Sequence, residues 1–489
     1  MNRILHTLVP LLTAFLLMAV VTACVEPLVP DGPENPVGTR TLNVRIALPA
    51  DGSLVTKATT DDGKIVGPEA ERWVYQVQIW AFEHVTAGAA AGDNQKARVY
   101  YSGSPGVPGN TEFGVSMPLP DDIMDTVGPD SPLALDFYVL VNGTTVGMSD
   151  QDSSKTRKQL REKVFANADG SGFGSGEYLV TAVPNGNERK GLPMSGFFNG
   201  ADGGGLDIAY LHYGFTESQL HEIDEEAEKE TPRTFSESNL KGAPFNITAA
   251  QWIYINTVRQ ITTWAALRDA LCPVLDVNRA VSKIRFVFSK AASMSEATEI
   301  TRITLIDKTT SGETPMLPAS TYLFPREAGT WALPTGVGYE ALTLTGDTSD
   351  APYLSNADIQ TIDDTPLRLR KDSEIEATFG TGPKAPKDMT LSEYATFLDT
   401  EIEAGHATQR LLYLRESDKT GIIARIEYKI GTGASAVSGT ADIPLDTDFH
   451  RNRWWTIYTY FMSYGLEFQV TVNPWNGTES SGQLEEPEN

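Results

Sequence analysis

Two cysteines and six histidines are the chain's main supply of metal-ligating and nucleophilic side chains. The histidines stand at His6, His84, His212, His221, His406 and His450, without the short spacings that bring two ligands onto one face of a helix or turn. No P-loop, G-x-S-x-G or H-E-x-x-H sequence occurs. Carboxylates are abundant, but an acid–base pair needs two of them at a set separation, which their order along the chain does not specify. The acidic run from Glu222 to Glu230 lacks the alternating oxygen ligands around a sharp Gly turn that calcium loops require, and reads as a solvated helix face. The glycine-rich stretches 170–176 and 200–205 do not open a helix after a strand, so a phosphate cradle is not expected there. The chain is therefore expected not to be an enzyme and to carry no metal and no cofactor.

One residue does invite chemistry. Met1 to Ala23 has Arg3 and His6 ahead of an apolar run from Leu8 to Val21, the pattern of a secretory signal. It ends in Val21-Thr22-Ala23-Cys24, which resembles the lipobox of bacterial lipoproteins, with Val where Leu is usual. There the cysteine becomes the first residue and carries acyl chains such as palmitate, so Cys24 is the expected lipidation site. Each buried CH₂ adds about 0.8 kcal/mol, and a multiply acylated terminus is held firmly at a membrane. No later stretch is long and apolar enough to span a bilayer. With Cys24 acylated, Cys272 has no partner, and no disulfide framework is expected. Its neighbours Ala270, Leu271, Pro273 and Val274 suggest a small buried hydrophobe.

The remaining chain must supply a body. Its net charge of −25 excludes a polyanion such as nucleic acid as a natural partner. Residues 24–40, rich in Pro and acids, read as a lipidated tether. In Thr41–Leu48 the residues Leu42, Val44, Ile46 and Leu48 alternate with Asn43, Arg45 and Ala47, the period of a strand with one buried and one wet face. A polar loop over 53–71 follows, then a strand over Trp73–Phe82 with Gln76 and Gln78 expected on its wet face. Leu133–Val141 is nearly continuous apolar, as for a strand covered on both faces, and ends at Asn142-Gly143. Thr216 and Gln219 form a capping box that predicts a helix over Thr216–Glu230. Strands are expected at Ala280–Phe288, Arg302–Ile306, Arg410–Arg415 and Ile422–Ile430. A closing hairpin of Trp454–Phe461 and Leu466–Val472 completes the set. At 489 residues, many short strands and few helices predict an all-β chain of two β-sandwich domains in tandem, 41–325 and 326–489, with loop and short helix insertions.

Several short segments, in this order, resemble the fimbrillin family of Bacteroidales, the lipoprotein-derived subunits of type V pili. After Cys24 and the strand–loop–strand of Leu42–Leu48 and Tyr75–Phe82 come Phe137-Tyr138-Val139-Leu140-Val141-Asn142 and Leu192-Pro193-Met194-Ser195-Gly196. Val277-Asn278-Arg279-Ala280-Val281-Ser282-Lys283-Ile284 follows, then Ile443-Pro444-Leu445, Arg451-Asn452 before an aromatic strand, and Val472-Asn473-Pro474-Trp475. The resemblance implies two transthyretin-like sandwiches and export to the outer membrane as a lipoprotein precursor. It further implies cleavage by an Arg-specific, trypsin-like protease after the first strand. The vacated groove would then be filled by a strand from a neighbouring subunit, building a fimbrium that works in adhesion to a host protein or glycan.

The sequence departs from that pattern in one place. Where family members often have Thr-Arg-Ala-Thr, this chain has Thr56-Lys57-Ala58-Thr59, so the expected scissile bond joins Lys57 to Ala58. A protease that insists on Arg would leave the subunit uncut and tethered, as an anchor. Whether the chain is shaft, tip or anchor stays open, as does the role of the 150–240 insertion. A second reading is a surface glycan-binding lipoprotein, with Trp252, Trp264, Trp454 or Trp455 as stacking platforms for sugars.

Overall fold

The computed structural model describes residues 41–48, 58–59, 65–66, 74–85, 92–104, 112–120, 134–148, 152–166, 192–198, 215–272, 274–291, 294–325, 333–346, 348, 351–362, 408–445, 449–462 and 465–474. The described residues are mostly strands with few helices, an all-β fold. By contact density the chain divides into two units, each drawing on separate stretches of sequence. One holds residues up to 47 with 112–129 and 209–274; the other holds 48–111, 130–208 and 275–489.

In the smaller unit the first strand, Thr41–Ala47, pairs antiparallel with Glu112–Pro118, so that Leu42, Val44 and Ile46 lie opposite Met117, Val115 and Phe113. All six are buried, while Gly114, Ser116 and Pro118 are exposed, the period-two outcome of one covered face. The sheet order places the first strand between Glu112–Pro118 and the short strand Val274–Asp276, at whose first residue this unit ends. The unit's helices include Glu217–Glu228, Glu237–Lys241, Ala249–Ile253 and Trp264–Leu271. The capping box is present: the Thr216 hydroxyl accepts from the Gln219 amide at 3.2 Å, and the Gln219 side chain accepts from the Thr216 amide at 2.9 Å. Ile223, Leu240, Phe245, Trp264 and Leu267 fill the space between these helices.

The larger unit contains a five-stranded antiparallel sheet in which Val77–Glu83 and Leu135–Val141 are inner neighbours, with Val99–Gly103 at one edge and Met194–Phe198 followed by Asn278–Arg279 at the other. Leu135–Val141 is buried at every residue, as its continuous apolar run predicts. Gln76 and Gln78 do not face water: both are buried, because the neighbouring strand is covered on both faces too. Gln78 instead donates to the Tyr100 hydroxyl at 3.2 Å, and Gln76 accepts from the Thr144 amide at 3.1 Å.

Two further five-stranded sheets of this unit enclose one core. In the first, Ser282–Ala291 is flanked by Arg453–Met462 in parallel and by Thr408–Leu414 antiparallel, and Gly465–Pro474 closes the edge as the second strand of the predicted hairpin. In the second, Thr298–Thr309 pairs with Ile422–Ile430, which pairs in turn with Val437–Pro444 at the edge. Ile284, Phe286 and Phe288 from one sheet and Ile300, Ile303 and Leu305 from the other meet in that core. Strands on either side of Pro325 thus share one sandwich, with Ser282–Ala291 and Thr298–Thr309 preceding it and their main partners following it.

Candidate functional site: the first strand and the start of the closing hairpin

Strand replacement would act first on Thr41–Ala47. Burying Leu42, Val44, Ile46 and Leu48 contributes up to about 6–12 kcal/mol, an upper bound because an unfolded chain already hides some apolar surface. The face expected to be wet is partly covered as well. Arg45 is half-buried: its Nη2 lies 2.8 Å from Asp269 Oδ1, and its Nε donates to the Cys272 carbonyl at 3.2 Å. Cys272 is the C-cap of Trp264–Leu271, so a cation from the strand satisfies a carbonyl at the helix end, where the negative pole of the helix dipole lies. Arg268 shares the same carboxylate, its Nε 2.9 Å from Asp269 Oδ1. Cys272 itself is half-buried. Of the sites expected from sequence, Cys24 and Lys57 lie outside the described residues. Ala58 opens a two-residue strand paired with Ile65–Val66.

In the larger unit, several of the segments singled out by their resemblance come together at the start of the closing hairpin. Asn142 donates from Nδ2 to the Leu192 carbonyl at 2.8 Å, and its Oδ1 accepts the Tyr75 amide at 2.9 Å. Ser195 pairs with Asn278 in register, and the Ala280 amide donates to the Pro193 carbonyl at 2.8 Å. Asn452, with a positive φ of 62°, donates through Nδ2 to Asn278 Oδ1 at 2.9 Å and through its backbone to Val281 at 2.9 Å. Arg451 threads between these pieces. It donates to the carbonyls of Tyr322 at 2.6 Å and Leu323 at 2.9 Å, and it pairs with the buried Glu416, whose Oε1 lies 3.1 Å from its Nε. Ser195 Oγ donates to the same Leu323 carbonyl at 2.6 Å. Every contact here is directional and neutralised locally, the chemistry of a fixed joint.

The tryptophans offered as sugar platforms are mostly core. Trp264, Trp454 and Trp455 are buried, because their strand or helix faces another layer; Trp252 is half-buried beside Phe235. Lys283 and Arg285 approach the Trp454 ring at 4.2 and 4.9 Å, occupying the face a sugar would need. Among the described residues, no group of three or more His, Cys, Asp or Glu side chains could hold a metal ion. No helix among them is long and apolar enough to cross a membrane.

Solved structures to which the chain is similar include fimbrial and candidate cell adhesion proteins. A candidate cell adhesion protein from Parabacteroides distasonis aligns over 90% of this chain and 98% of its own, at 12% identity and a TM-score of 0.39. A fimbrial assembly protein from the same species covers 89% and 99%, at 9% identity and 0.36. The tip fimbrial protein Mfa3 from Porphyromonas gingivalis, with a C-terminal truncation, covers 88% and 100%, at 10% identity and 0.32. No family model matches the chain, and no curated protein matches it.

Two residues in these joints carried no sequence signal. Asp269 and Glu416 are ordinary acids in the sequence, and their partners lie 224 and 35 residues away. The Asn and Ser residues of the hairpin joint were visible as motif letters, but their mutual contacts were not.

Proposed function

We propose that this protein is a structural or tip subunit of a type V pilus, exported as a lipoprotein through Cys24 and acting in adhesion at the cell surface without catalysis. Assembly would proceed by cutting after Lys57, loss of the first strand, and filling of its groove by a strand from another subunit. The observation that carries this reading is the first strand itself. Its apolar side chains are almost fully buried, it sits inside a sheet, and the sequence puts a polar loop containing Lys57 after it. A segment of that kind cannot leave its groove empty, since exposing so much apolar surface is comparable with the whole stability of a domain, about 5–15 kcal/mol. The burial of Trp264, Trp454 and Trp455 weighs against sugar stacking as the principal role.

Mass spectrometry of the surface form tests the reading. A polymerising subunit is expected to begin at Ala58, and an anchor to begin at an acylated Cys24. A mature form that begins elsewhere, without acylation and without loss of the first strand, would sink both versions.

A further inference from the structure

The first strand does more than fill an apolar slot. Between its second and third buried residues, Val44 and Ile46, it presents Arg45 to a carboxylate and to a helix-terminal carbonyl, Asp269 Oδ1 at 2.8 Å and Cys272 O at 3.2 Å. The Arg45 side chain is 17% exposed and that of Asp269 51%, so the pair is shielded on one side only. Whatever strand replaces this one meets the same acceptors. Resting on the strand-replacement reading above, we propose that the groove selects its incoming strand by charge as well as by shape. It fits an extended segment with four apolar residues at alternate positions and an Arg or Lys between the second and third.

The chain's own closing strand does not fit that description. Its apolar residues Leu466, Phe468, Val470 and Val472 alternate as those of the first strand do, but the residue between the central pair is Gln469. Because Gln469 is the midpoint of the pattern, it falls opposite the acceptors whichever way the strand runs. An uncharged amide there leaves Asp269 with only its neighbour Arg268 and withdraws the cation from the helix end. The occupant is therefore a strand of a different subunit bearing a cation at this position, and a second copy of this chain is the poorer donor.

The test uses the full chain with a site-specific protease sequence replacing residues 53–57, nicked there so that the severed first strand stays bound. Fluorescent peptides spanning residues 41–50 in native form and as Arg45→Gln, and a third spanning residues 465–474, compete for the groove. The native peptide is expected to be taken up about 3- to 10-fold more tightly than the Gln form at low salt, the size of a half-exposed ion pair joined to a helix-terminus contact. The closing-strand peptide is expected to bind no better than the Gln form. Asp269→Asn in the nicked chain should shrink the preference to the part supplied by the Cys272 carbonyl while leaving uptake of the Gln form unchanged. Equal uptake of the Arg and Gln peptides, or a preference undiminished by Asp269→Asn, overturns charge selection alone. Uptake of none of the three overturns strand replacement itself, and the selection with it.

Discussion

Arg451 and Glu416 illustrate what a single pair can decide. Glu416 is buried, and Arg451 hands its remaining protons to two backbone carbonyls of 322–323, so neither charge is left facing apolar surroundings. Arg451→Ala would strand that carboxylate and is expected to cost about 3–5 kcal/mol in urea unfolding, with the Arg451→Ala, Glu416→Ala double variant losing less than the sum. A strictly additive pair of losses would mean that the joint is not a unit. On the sheet of Thr298–Thr309 and Ile422–Ile430, Arg425 makes bidentate contacts to Asp442 at 2.6 and 2.9 Å and to Glu313 at 2.7 and 2.8 Å, and Lys308 also reaches Asp442 at 2.7 Å. These cations hold the Asp442 carboxyl down at about 2, from an ordinary 3.8, and the two carboxylates in turn raise the Arg425 guanidinium. A lowered carboxyl stabilises the fold above its unfolded value and loses that stabilisation as pH falls towards the folded one. Stability is thus expected to drop between 3.8 and about 2, and Asp442→Asn to flatten that part of the urea-midpoint profile. An unchanged profile in the variant would assign the acid sensitivity elsewhere.

At the scale of elements, the helix Glu217–Glu228 shows local chemistry deciding local structure. Its seven-acid neighbourhood reads as solvated, yet Glu226 is buried. Burial works against its charge, but the Arg233 amide at 2.5 Å and Lys229 at 2.7 Å prevail and hold its carboxyl below the usual range. Start and direction come from the capping box. Thr216→Ala should cost about 0.5–2 kcal/mol and deprotect the Gln219 amide in hydrogen exchange, while Thr216→Ser should retain most of the protection. Equal protection in both variants would show that packing against Trp264–Leu271 alone sets the helix end. The edge strand Val437–Pro444 carries a comparable device: the Tyr428 ring covers Gly439 so closely that an added Cβ would sit 2.3 Å from it.

For the whole molecule, the parallel pairing of Ser282–Ala291 with Arg453–Met462 has the largest consequence. Residues 326–489 lack both that strand and Thr298–Thr309, each a central member of its sheet. Expressed alone, 326–489 is expected to show no cooperative thermal transition and no near-ultraviolet circular dichroism. A sharp melt would mean that its strands find another partnership. Pro-rich and Gly/Thr-rich sequence, as around Pro325, marks local chain breaks, whereas sheet membership follows burial shared across distance.

Strand existence and type were legible in several runs where burial is one-sided or complete, although Glu112–Pro118, equally periodic, was not among the expected strands. Leu42–Leu48, Leu135–Val141 and Ile422–Ile430 announce themselves because period and hydrophobic content are properties of neighbours along the chain, and so does the Thr216–Gln219 cap. What covers a given face was not legible. Gln78 reads as wet and is buried, Trp454 reads as a platform and is core, and Arg45 reads as solvent-facing and closes a helix end. In each case the deciding partner lies tens to hundreds of residues away, where only the folded chain brings polar groups within hydrogen-bonding reach. Sequence alone thus determined the all-β character, the helix cap and the one-sided apolar period of the first strand. The tertiary structure alone decided which carboxylate and carbonyl Arg45 of that strand meets and which strands share a core, because both depend on which distant surfaces meet.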